Sequence, residues 1–184
     1  VGGIVGDMGS GANFASGSEV EVRGNIKVTL EAANIGGVAG RTNTATFIGT
    51  FDVSPTMNTL QAENVGGFIG KNVGTVYILA DTTERIVDGK LNGTNITIGG
   101  MIQGTSEVGG FIGVNNSGSS LNIGSNVANA KPYKSGTLSI TIAEGAKISG
   151  SGNHVGGIVG KNEGAVDAAQ NDYATIDIVK GTIV

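Results

Sequence analysis

An all-β solenoid of stacked parallel strands is the fold class that the sequence predicts, and three observations predict it. A six-residue pattern recurs five times along 184 residues. Segments with a two-residue apolar period follow each copy, as half-buried strands require. Gly interrupts nearly every window long enough for a helix, and no sustained i, i+3, i+4 pattern is present. The expectation is a parallel β-helix of four full coils plus a partial fifth, with about three strands per coil. Its repeat units are 1–34, 35–64, 65–107, 108–154 and 155–184, forming one continuous segment.

The repeated element opens the chain as Val1-Gly2-Gly3-Ile4-Val5-Gly6. It returns as IGGVAG from Ile35, VGGFIG from Val65, VGGFIG from Val108 and VGGIVG from Val155. The starts lie 34, 30, 43 and 47 residues apart, so the hexad is a fixed element and the rest of each unit tolerates insertion. Asn34, Asn64, Glu107 and His154 precede the later hexads. Asp7-Met8, Arg41-Thr42, Lys71-Asn72, Val114-Asn115 and Lys161-Asn162 follow the hexads. Asn and Gly at such places supply turn chemistry. Thr42, Asn72, Asn115 and Asn162 are expected to stack as a polar ladder that Met8 breaks in the first unit.

Strands are expected over 18–22 and 26–30, then 75–79, 95–98, 137–142 and 174–179, from Val, Ile and Leu at i, i+2. Phe14, Phe47 and Tyr77 lie 12 or 13 residues after their hexad starts and are expected to share one internal column. A unit with a handful of inward Val and Ile cannot bury its own apolar face, whereas stacked units make a continuous core. At ~4.8 Å per strand the units span roughly 20 Å of axis. Strict alternation would put Val1, Gly3 and Val5 on one face and Gly2, Ile4 and Gly6 on the other. One apolar column is then core. The second, Ile4, Val38, Phe68, Phe111 and Ile158, either lies under a further layer or forms an exposed stripe for a partner. Tyr133 and Tyr173 fit no column and are the remaining candidates for surface contacts.

Composition narrows the function classes. Gly makes up 34 of the 184 residues, against roughly 7% in average proteins, yet collagen is excluded by the missing Gly period and only two Pro. A disordered linker is excluded by 39% hydrophobic residues. The net charge is −4, so no basic surface is available to neutralise phosphates and no nucleic-acid partner is expected. There is no Cys, which removes disulfides, redox dithiols and thiolate metal sites. No run reaches the ~18 apolar residues of a membrane span, and membrane insertion of this segment is not expected.

Two stretches carry a family resemblance: Val65-Gly66-Gly67-Phe68-Ile69-Gly70-Lys71-Asn72-Val73-Gly74-Thr75-Val76 and Val155-Gly156-Gly157-Ile158-Val159-Gly160-Lys161-Asn162-Glu163-Gly164-Ala165-Val166. They resemble the GLUG-motif repeats of large bacterial surface adhesins and of the non-catalytic N-terminal regions of immunoglobulin-A-cleaving metallopeptidases. The resemblance implies a right-handed parallel β-helix in an extracellular setting, and it covers about a third of the chain. Units of 43 and 47 residues are long for that family, and the first two units lack its Asn-x-Gly step.

No catalytic, cofactor-binding or metal-binding residue is expected. His154 is the only His and reads as a polar turn residue. One imidazole without H-E-x-x-H cannot build a zinc hydrolase, and no G-x-S-x-G surrounds any Ser. The Gly-rich hexads lack the following helix and the G-K-[ST] of a phosphate loop. Glu19 and Glu21, Asp81 and Glu84, and Asp167, Asp172 and Asp177 are the acidic groupings considered for glycoside cleavage. None coincides with aromatic sugar platforms, and solvated strand edges explain them. Ice binding through Thr42-Asn43-Thr44-Ala45-Thr46 is weakened because the run does not recur in other units.

The functional expectation is therefore a non-enzymatic, extracellular structural or adhesive segment of a bacterial cell-surface protein or fibre. It is either part of a longer chain or a protomer that stacks end to end, with neighbouring domains or protomers as partners and host glycan or protein as a further one. The alternatives are a polysaccharide-binding or polysaccharide-active β-helix and an accessory domain of a secreted peptidase.

Overall fold

The computed structural model describes residues 1–15, 19–27, 33–58, 62–79, 86–87, 90–91, 94–123, 138–168, 174–178 and 182–183. Among these the chain is all-β with parallel sheets and no helix. Strands β1 (Val5–Met8), β2 (Ala12–Ala15) and β3 (Val20–Lys27) come first. The second unit carries β4 (Asn34–Gly36), β5 (Ala39–Thr42), β6 (Ala45–Ile48) and β7 (Thr50–Asn58). The third has β8 (Asn64–Gly66), β9 (Ile69–Asn72), β10 (Thr75–Ile78), a small antiparallel pair β11 (Ile86–Val87) and β12 (Lys90–Leu91), then β13 (Asn95–Ile98) and β14 (Met101–Gly104). The fourth has β15 (Val108–Gly109), β16 (Ile112–Asn115), β17 (Ser120–Ile123), β18 (Leu138–Ile142) and β19 (Lys147–Gly150). Last come β20 (Val155–Gly156), β21 (Val159–Asn162), β22 (Ala165–Ala168), β23 (Ala174–Ile178) and β24 (Thr182–Ile183).

Equivalent strands of successive units lie side by side. One sheet runs β4-β8-β15-β20, extended by a bridge from Gly2 to Gly36. A second runs β1-β5-β9-β16-β21 and a third β2-β6-β10-β17-β22. The fourth curls: β7 pairs β3, and its two halves pair separately with β13 and β14, which lead to β18-β23 and β19-β24. The division falls at a column of corners. Gly24 (φ 94°) stands opposite Pro55, and Gly100 (φ 72°) separates β13 from β14. Gly100 also needs to be Gly because a Cβ there would strike the Pro55 carbonyl oxygen.

The hexad is two strands joined by a corner rather than one strand, so a unit such as the second holds four strands instead of three. The corner breaks the period of two on which the expected face alternation rested. Ile35, Val38 and Ala39 all point into the core, as do Val65, Phe68 and Ile69, and Val108, Phe111 and Ile112. Gly at the second hexad position makes the corner possible. At Gly2, Gly36, Gly66, Gly109 and Gly156 a Cβ would collide with the carbonyl oxygen three residues on. Gly at the third position faces the same position of the next unit: Gly3 meets the Gly37 carbonyl, Gly37 that of Gly67, Gly67 that of Gly110 and Gly110 that of Gly157. The sixth lies against the preceding hexad, with a Cβ on Gly70 only 2.6 Å from Gly40 O and Ile35 N. Backbones this close leave no room for side chains.

Beyond the hexad, the alternation is regular. Phe51, Ile96 and Ile140 form one inward column of the fourth sheet, with Val53, Ile98 and Ile142 beside it. Each such side chain contributes about 1.5–3 kcal/mol on burial. Phe14, Phe47, Phe51, Phe68 and Phe111 form a connected aromatic core with centroid separations from 5.0 to 6.3 Å. Tyr77 does not join it, contrary to expectation. It pairs with Thr46 while Ile78 pairs with Phe47, and a one-residue offset turns a strand side chain to the opposite face. Tyr77 is accordingly half-buried and Ile78 fully buried.

Candidate functional site

The expected polar ladder is present and continuous between units. Met8, Thr42, Asn72, Asn115 and Asn162 occupy one register column. Thr42 Oγ1 donates to Asn72 Oδ1 at 3.2 Å, Asn72 Nδ2 to Asn115 Oδ1 at 2.9 Å, and Asn115 Nδ2 to Asn162 Oδ1 at 2.8 Å. Each amide also reaches a backbone carbonyl of the next unit: Asn72 donates to Ser120 O and Asn115 to Ala165 O, both at 3.0 Å. Thr42, Asn72 and Asn115 have no exposed surface, so these bonds satisfy polar groups that burial would otherwise penalise. All donors point the same way along the stack. Met8 heads the column as an apolar, buried side chain.

The apolar column expected as a docking stripe divides. Val38, Phe68 and Phe111 are fully buried, and the expectation that they meet a partner is corrected by the corner that turns them inward. Ile158 is half-buried, and Ile4 is 42% exposed in the first unit. Among the described residues the exposed large apolar side chains are Val1, Ile4 and Val166. All three belong to the first or last unit. Tyr133 and Tyr173 lie outside the described residues, as do Asp81, Glu84 and Asp172. Asp167 lies on β22 and Asp177 on β23, and these two side chains are outside the described ones.

Charged groups gather in three places. Arg41 Nη1 donates to Asp7 at 3.0 and 3.2 Å between the first two units. Glu19, Glu21 and Asp52 bring carboxylate oxygens within 4.8 Å of one another. Arg23 answers that cluster, with Nη2 2.6 Å from Asp52 Oδ2 and Nε 3.5 Å from Glu21 Oε2. A guanidinium between carboxylates makes this an ion-pair network.

The third group joins the last two units around Glu107 and His154. Both adopt left-handed backbone conformations, φ 51° and 65°, at the turn that enters the hexad. His is among the non-Gly residues that adopt it more readily and Glu is not, and the sequence indicated only a polar turn at both positions. His154 Nδ1 lies 4.0 Å from Glu107 Oε1, and Ser106 Oγ 3.5 Å from Glu107 Oε2. The carboxylate, rather than the imidazole, adjoins the hydroxyl. A nucleophile–base relay needs the reverse order. Lys161 Nζ sits 2.8 Å from Glu163 Oε1 and 3.9 Å from Glu107 Oε1. Its hydrogen bond and charge hold the Glu163 carboxyl below the ordinary carboxylate range, and Glu163 raises Lys161 in return.

The arrangement defines a class of protein: stacked parallel β-units held by backbone approach at Gly and by side-chain ladders. Comparison of the chain with protein families, with curated proteins and with solved structures finds no match.

Proposed function

We propose that this chain is a non-enzymatic structural or adhesive β-solenoid segment of a bacterial cell-surface protein or extracellular fibre. In this reading its strands wind as a parallel β-helix of four full coils and a partial fifth, like the GLUG-motif repeats that the hexads resemble. Its work is to extend and present surface by stacking. The observation that carries the reading is how successive units are joined: one side-chain ladder runs through Thr42, Asn72, Asn115 and Asn162, and the hexad backbones approach so closely at Gly37, Gly67 and Gly110 that no side chain fits between them.

The test is to raise antibodies against the purified chain and probe intact and lysed cells of its source. Labelling of intact cells, with loss of surface attachment when the segment is deleted, supports the reading. Labelling confined to lysates overturns it.

One observation favours a second reading, polysaccharide binding. Thr50, Asn95 and Ser139 align on one outward column of the fourth sheet, and Asp52, Thr97 and Thr141 on the next. Neighbouring strands repeat at ~4.8 Å, presenting regularly spaced hydroxyl, amide and carboxylate groups. A glycan array probed with the wild-type chain and with Thr97→Val/Thr141→Val decides it: saturable binding lost in the variant supports this reading, and silence from wild type sinks it.

A further inference from the structure

The outward face of the third sheet carries a polar, uncharged platform in the middle of the stack. Where β6, β10 and β17 lie side by side, Thr46, Tyr77 and Asn122 align in one outward register column. Tyr77, which its register keeps out of the aromatic core, therefore stands between a hydroxyl residue and an amide residue. Two residues earlier a second outward column pairs Thr75 with Ser120. The two columns are linked: Asn122 Nδ2 donates to Ser120 Oγ at 3.3 Å, and Ser120 Oγ donates to Thr75 Oγ1 at 3.3 Å. Leu79 follows two residues after Tyr77 and is half-buried, as are Thr46, Thr75, Tyr77 and Ser120. Across these three strands neither column contains a charged residue.

This combination selects its ligand by chemistry. A pyranose ring has an apolar face of C–H groups that stacks on an aromatic ring, and an edge of hydroxyls that bonds to hydroxyl and amide side chains. An anion finds no cationic side chain in these columns, and a cation finds no carboxylate. An apolar peptide would strip water from Thr75 and Ser120 and return no hydrogen bonds. We propose that the outward face of the third sheet, centred on Tyr77, is a binding platform for a neutral β-linked oligosaccharide. Tyr77 supplies the stacking surface. Thr75 accepts from Ser120 and so keeps its own hydroxyl hydrogen for a sugar oxygen. Strands repeat at ~4.8 Å, so an extended sugar chain can cross β6, β10 and β17 with one ring over Tyr77. The platform is complete within the second, third and fourth units. It goes beyond the structural reading, and it lies on a different sheet from the Thr97 and Thr141 columns.

The experiment titrates the full chain with cellohexaose, β-1,4-mannohexaose and N-acetylchitohexaose by isothermal calorimetry, with hexagalacturonate as an anionic control. The Tyr ring signals are followed by NMR. The expected result is saturable binding of at least one neutral oligomer, a shift of the Tyr77 ring signals, and no binding of hexagalacturonate. Tyr77→Ala should weaken binding about tenfold, and Thr75→Val about threefold or more. Tyr77→Phe keeps the ring and should stay within about threefold of wild type. Thr97→Val/Thr141→Val should leave binding unchanged, which separates this platform from the fourth sheet. Circular dichroism and urea unfolding establish that the variants fold. If Tyr77→Ala does not, Thr75→Val and the ring shift decide. Silence toward all three neutral oligomers overturns the inference, as does equal affinity for hexagalacturonate. Binding that survives Tyr77→Ala in the folded variant, or that is lost only in Thr97→Val/Thr141→Val, also overturns it. Each of these outcomes leaves the structural reading standing, because that reading is tested by surface labelling.

Discussion

At the scale of single residues, the hexad glycines differ in what they oppose, and substitution should separate them. A Cβ on Gly70 enters the backbone of the preceding hexad, within 2.6 Å of Gly40 O and Ile35 N. Gly70→Ala should therefore cost about 3 kcal/mol or more, since two backbones must part. Gly6→Ala, with open space around it, should be neutral or stabilise by about 0.5 kcal/mol through the unfolded chain. Urea midpoints of the two variants check both statements. The ladder makes a second residue-scale prediction. Asn115→Ala removes the acceptor of Asn72 and the donor to Asn162 at a site with no exposed surface. A loss of about 1–3 kcal/mol is expected from the unpaired Asn72 amide. Asn162→Ala likewise removes the acceptor of one Asn115 amide hydrogen, but at the exposed end of the ladder water can replace it, so the urea midpoint should fall less.

Elements are held by columns that cross them, and each column fails in its own way. Phe68 packs on Phe47, Phe51 and Phe111 at 5.0, 5.2 and 5.1 Å, linking the third sheet, the fourth sheet and two hexad corners. Phe68→Ala should cost about 3–5 kcal/mol by thermal or urea unfolding. The surface column around Lys161 works by charge. The folded-state carboxyl of Glu163 is depressed, so its contribution is present above the ordinary carboxylate range and is lost as pH falls through the lower folded value. Lys161 is raised, so its contribution is present below the ordinary lysine range and is lost as pH rises through the higher folded value. Glu163 is exposed and Lys161 half-buried at the surface, which keeps the effect on stability small. A carboxyl NMR titration should place the Glu163 midpoint below that of an exposed Glu, and Lys161→Ala should return it upward.

Across the whole molecule, protection should follow the stack. The hexads of the second, third and fourth units are buried, whereas the first unit exposes Val1 and Ile4 and the last leaves Val155, Ile158 and Val159 half-buried. Units whose hexads are exposed open more readily than those buried among neighbours. Native-state hydrogen exchange should therefore be slowest at the amides of Val38, Phe68 and Phe111, which bond the carbonyls of Phe68, Phe111 and Ile158. Faster exchange is expected at Ile4, although it makes the equivalent bond to Val38 O. Equal rates at all four would mean that the units open together.

The sequence by itself determined the β class, the repeat and the ladder. Five hexads with Thr42, Asn72, Asn115 and Asn162 at a constant offset can align their ladder residues only if successive units stack in register, and period-two segments such as 95–98 can bury one side only as strands. Only the tertiary structure decided which apolar residues are core. Val38, Phe68 and Phe111 face inward because the hexad turns a corner, and that corner depends on a carbonyl three residues away. The place of Tyr77 depended on a one-residue register with β6, and the left-handed turns at Glu107 and His154 on hydrogen bonds between units. Periodicity is local and can be read along a chain. Register and corners are set by contacts between residues 30 to 50 positions apart, which a single strand of sequence does not contain.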